Sequence, residues 1–127
     1  MSEPRRLGPV LWGLAGCAAT AVILGIGAAL GLWWLPFVAG LAAAAPPWRV
    51  RSALALVVLA VAVGWGAALC WPAWSGAPAG ATARVIAALA GLPPHAAVAV
   101  AVTLAVGVLQ ALTAVWLARA AYRLAGR

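Results

Sequence analysis

The sequence predicts an all-α integral membrane protein: a four-transmembrane-helix bundle with a short interfacial helix in its outer loop. Three observations carry this expectation. Of 127 residues, 68% are hydrophobic and 7% charged, whereas a soluble domain carries about 25% charged residues. The uncharged runs are long, with no charge anywhere between residues 7 and 48. The arginines stand at the borders of those runs, as positive flanks do in membrane proteins. Intrinsic disorder is excluded, because it requires low hydrophobicity.

Forty-two uncharged residues would make a helix of roughly 63 Å, about twice the ~30 Å hydrocarbon core. The run therefore divides into a first span over 9–30 and a second over 32–45, with the bend at Gly31. Trp33-Trp34 follow the bend as an interfacial aromatic pair, and Pro46-Pro47 stop the second span before Trp48. The second span is short enough that a re-entrant hairpin is the alternative to a full crossing. Residues 52–71 form the third span, 20 residues or ~30 Å of helix, ended by Trp71-Pro72. An outer loop over 72–95 is rich in Pro and Gly. Within it, Ala79 to Ala90 predicts a short helix on the membrane surface, stopped by Gly91 and Pro93-Pro94. The fourth span runs over 96–118, and a basic tail over 119–127 completes a single membrane domain, 1–127.

All eight cations are arginine, the only acid is Glu3, and the net charge is +7. Such a balance would suggest nucleic acid in a soluble protein; here the charges serve orientation, and no nucleic-acid partner is expected. Four crossings with the N-terminus inside put seven arginines in the cytoplasm and leave Arg84 outside. Three crossings would leave five outside. The positive-inside rule selects four, with both termini cytoplasmic. Arginine used to the exclusion of lysine, with abundant Ala and Gly, points to a bacterial inner membrane.

Several chemistries lack their residues. Arg5-Arg6 followed by Leu14-Ala15-Gly16-Cys17 imitates a lipoprotein signal, but the residues after Cys17 continue as an apolar helix rather than a polar tether. Cys17 near mid-membrane and Cys70 near the outer surface differ in depth by roughly 13–15 Å, too far for a disulfide. His95 is the only histidine, with no partner set for a metal or haem. Proton-coupled carriers place acids inside the bilayer, and no carboxylate follows Glu3. An enzyme is not expected, nor is any cofactor.

Positive evidence comes from small-residue faces, which allow helices to approach closely in lipid. In the first span, Gly13, Gly16, Cys17, Thr20, Gly27 and Gly31 share a face interrupted by Leu24. In the third, Ala53, Ala60, Gly64, Ala67 and Ala68 align, opposite Val58, Leu59, Trp65 and Leu69. In the fourth, Ala96, Ala99, Thr103, Gly107, Gln110 and Ala114 align, opposite Leu104, Leu109, Leu112 and Trp116. Gln110, the sole carboxamide, is expected to bond Thr20 or a backbone carbonyl, or else to meet a partner. Arg84 and His95 are the candidates for a headgroup or partner contact outside. The expected role is a non-catalytic subunit, scaffold or assembly factor, with the bilayer and another membrane protein or second copy as partners. A small oligomeric channel or carrier, lined by Thr20, Thr103 and Gln110, is the rival reading. A holin-like permeabilising protein is a weaker third.

Overall fold

The computed structural model describes residues 7–45 and 50–126. Every regular element among them is an α-helix: α1 Leu7–Ala29, α2 Leu35–Ala44, α3 Val50–Trp74, α4 Ala79–Leu89 and α5 Ala96–Ala125. Three of these, α1, α3 and α5, are long and apolar enough to cross a membrane. The long uncharged stretch divides at Gly31, whose φ of +77° ends α1. The Leu32 N–H donates to the Gly27 carbonyl at 2.8 Å and the Gly31 N–H to Ala28 at 3.1 Å. That pair of bonds satisfies the last carbonyls of α1 and requires a left-handed residue at the end, which glycine adopts without a Cβ penalty.

The second helix is shorter than expected. It begins at Leu35 rather than Leu32, because residues 31–34 are taken up by the turn, and its 10 residues span ~15 Å. Two other helices outrun expectation. α3 continues through Pro72 to Trp74; a proline this close to a helix end removes a single bond, so the last turn survives. α5 continues through most of the basic tail to Ala125, since Ala, Arg and Leu are strong helix formers. The short helix expected between the third and fourth spans appears as α4, which ends at Leu89 just before the turn at Gly91, φ +72°.

The direction of each helix follows from its contacts. The Cys17 thiol donates to the Leu56 carbonyl at 3.6 Å, and Gly25 lies against the carbonyl of Gly64. Eight residues along α1 thus match eight along α3, so these neighbours run parallel. A parallel pair in contact requires the intervening chain to return from the Ala29 end to the Val50 end, and α2 lies on that return. Gly107 of α5 is level with Trp65 and Val61 of α3, whereas Ala111 lies against Gly40, farther from the Gly31 turn. α5 therefore runs opposite to α3. Helix α3 is central, with α1 on one side and α5 on another; α2 packs mainly on α5, and α1 does not touch α5.

Leu24, Val61 and Val115 are fully enclosed at the centre, with Ala60, Ala111 and Trp65 around them. Leu24 interrupts the small-residue face of α1 in sequence because it is a core residue. Trp65, placed opposite the small face of α3, is also core: α3 is covered on two sides, so both faces pack.

Candidate functional site

The small residues separate into two groups. Gly27, Gly64 and Gly107 are packed inside the chain. A Cβ at Gly64 would run into the Ala21 carbonyl, and one at Gly27 into the Leu35 side chain. At Gly107 it would come within 3.1 Å of the Trp65 ring and 3.3 Å of Val61. Gly25 and Gly40 do similar work although the sequence did not single them out: Gly40 lies directly on the Ala111 carbonyl. A glycine buried against a neighbouring backbone leaves no signal in the sequence that distinguishes it from any other glycine in an apolar run.

Gly13 and Gly16 belong to the second group. A Cβ at either would meet nothing within 4 Å. With Cys17 and Thr20 they form one wall of a cleft of about 210 Å³, whose other wall is Ala39, Ala42 and Ala43 of α2 and whose floor is Ala53, Leu56, Val57 and Ala60 of α3. α1 and α2 meet at their connecting turn, where Gly27 lies beneath Leu35, and stand apart toward the other end.

The polar side chains turn back on their own helices. The hydroxyls of Thr20 and Thr103 donate to the carbonyls of Gly16 and Ala99, each at 2.8 Å. Thr113 does the same to Leu109. This bonding satisfies a hydroxyl without reaching another helix. A bond between Thr20 and Gln110 is not formed, because α1 and α5 do not touch. The Oε1 of Gln110 is enclosed with no donor, and the Nε1 of Trp65 is enclosed with no acceptor. Among the described residues no polar or charged residue is buried as a whole.

Arg84 is exposed on α4, and His95 is exposed at the start of α5, where its extended backbone (φ −111°, ψ 131°) precedes the first turn without a side-chain cap. Exposed Trp71 and Trp74, with Val85, Ile86 and Leu89 of α4, lie in this part of the chain. At the opposite end Arg51 and Arg123 are exposed and Arg119 is half-buried. The cysteines are free, Cys17 half-buried and Cys70 exposed. Among the described residues no three of His, Cys, Asp and Glu come together.

Fold and site define a class: an all-helical protein with three long apolar helices suited to a membrane, packed through glycine contacts. No protein-family model, no curated protein and no solved structure matches the chain.

Proposed function

We propose that this protein is a four-crossing bundle of a bacterial inner membrane, with both termini cytoplasmic, acting without catalysis as a subunit, scaffold or assembly factor. The observation that carries the role is the separation of its mid-span polar residues. Thr20 lies on α1 and Thr103 and Gln110 on α5, two helices that do not touch, and both hydroxyls are engaged by their own helices. A polar solute passing through one chain would find no shared lining among these residues. Close glycine contacts, by contrast, suit a bundle that holds its shape while presenting its outer faces.

Four crossings are supported by the parallel run of α1 and α3, since residues 30–49 must then return across the bundle. Twenty residues suffice for ~30 Å even as helix, although the ten residues of α2 alone do not. The arginine distribution supports the orientation. α4 is assigned to the outer interface, Val85, Ile86 and Leu89 toward lipid and Arg84 toward headgroups.

The deciding experiment compares Gly107→Leu with Gln110→Leu, measuring abundance, detergent-resistant assembly and solute flux in liposomes. Gly107→Leu pushes Trp65 and Val61 away from α5 and is expected to abolish assembly. Gln110→Leu removes an enclosed acceptor that has no donor; replacing such a group with an apolar one is nearly neutral or stabilising. The expected outcome is intact assembly for Gln110→Leu and no flux from the wild type. Reproducible wild-type flux that Gln110→Leu abolishes would refute the scaffold role and favour the channel.

A further inference from the structure

The cleft between α1 and α2 has a size, a lining and a position that together specify an occupant. Its volume is about 210 Å³. An apolar cavity of about 150 Å³ takes one benzene, so by proportion this cleft takes roughly eight carbons of an alkyl chain. A helix is too thick to enter: at a diameter of about 10–12 Å, one turn alone fills roughly 400 Å³ or more.

The walls are built from glycine, alanine, Cys17 and Thr20 over a floor that includes Leu56 and Val57. Short side chains leave a slot rather than a contact. The two polar groups in the wall are already bonded, Thr20 to Gly16 and Cys17 to Leu56, so the lining asks for an apolar guest. The cleft runs beside the first part of α3, at the end of the bundle where Arg51 and Arg123 are exposed. With Glu3 the only acid in the sequence, that end is strongly positive and attracts anionic headgroups.

We infer that the cleft binds one acyl chain of an anionic phospholipid, with the headgroup held at the Arg51 end of the bundle. The inference takes from the proposed function only that the helices lie in a bilayer; it is independent of any role as a subunit. Gly13 and Gly16 are then glycine for the lipid rather than for the fold, which accounts for their lack of any neighbour within the chain.

The test is native mass spectrometry of the full chain after reconstitution in equal amounts of phosphatidylglycerol and phosphatidylcholine with matched acyl chains. The expected result is one retained phospholipid per chain, with phosphatidylglycerol favoured about fivefold, the discrimination that one arginine contributes near an anionic surface. Gly13→Leu and Gly16→Leu put a side chain on the cleft wall at positions where the added Cβ meets no atom within 4 Å, and each is expected to lower retention about tenfold. Gly66→Leu on α3, also with open space around it but outside the cleft, is expected to retain lipid as the wild type does. Circular dichroism of both cleft variants checks that they are folded, and the wild-type lipid ratio stands without them. No lipid on the wild type, equal retention by both folded cleft variants, or no preference for phosphatidylglycerol would overturn the inference. So would a wild-type dimer that both cleft variants dissolve, since the occupant would then be a second copy. Solute flux from the wild type would refute the proposed function and leave the lipid count untouched.

Discussion

A single methyl group distinguishes the two kinds of glycine in this molecule. Gly64 and Gly40 touch the carbonyls of Ala21 and Ala111 so closely that even alanine must displace a helix. Overpacking of this kind costs about 1–3 kcal/mol, so Gly64→Ala and Gly40→Ala are expected to lower the midpoint of unfolding in mixed micelles. Gly16→Ala meets open space and is expected to leave it unchanged. Equal effects at all three positions would contradict the helix contacts described. The enclosed indole N–H of Trp65 gives a companion expectation: Trp65→Phe keeps most of the ring packing on Gly107 while removing an unmatched donor, and should change the midpoint little. This division among glycines was only partly legible in the sequence. Helical phase grouped Gly13, Gly16 and Gly27 on one face, but α1 is covered by other helices along only part of its length. Which glycine meets a backbone depends on helix crossing points, and a projection of one helix contains no information about its neighbours.

Helix starts and stops were readable where glycine or proline set them. Gly31, Gly91 and Pro94 mark turns in both sequence and structure, and α5 begins at Ala96 as its preceding prolines imply. Ends set by composition were not. Leu32 looked helical by hydrophobicity alone, yet it supplies the N–H that closes α1, so α2 starts three residues later. The expected span stops at Ala118 because the arginines of the tail begin there, but charge ends an apolar span without ending a helix, and α5 continues to Ala125. A measurable consequence concerns the thiols. Cys17 bonds Leu56 inside the bundle whereas Cys70 is exposed near the far end of α3. Water-soluble maleimide is expected to react with neither the Cys17 thiol nor any position between Gly13 and Thr20 replaced by cysteine, and the monomer should migrate identically on reducing and non-reducing gels. A Cys17–Cys70 crosslink would contradict the parallel register of α1 and α3.

At the scale of the whole molecule, the membrane class follows from composition, but the number of crossings does not follow from span length. Three helices meet the length criterion and α2 does not; the proposal of a fourth crossing rests on the direction of α3 relative to α1. Topology reporters therefore give a direct check. Cytoplasmic reporters fused after Arg51 or Arg127 are expected to be active, and periplasmic ones near Ser75. A cytoplasmic signal at Ser75 would remove a crossing and invert the loop that carries Arg84. The arginine count and the register of α1 on α3 are separate grounds for the proposed topology, because the positive-inside rule concerns loops and the register concerns packing.

The reliance of α2 on α5 has a consequence for biosynthesis. α2 is made some fifty residues before Ala96, the first residue of the helix that covers it. Until synthesis reaches Ala111, the Gly40 surface lacks the carbonyl it packs on, and on the proposed topology a ten-residue helix has little apolar length to hold it in the bilayer meanwhile. The α1–α3 pair likewise forms only after the chain has doubled back. Nascent chains halted before residue 96 should therefore hold α2 loosely and be cleared by membrane proteases, while chains released after Ala114 should persist. A helix made early is thus covered by one made much later.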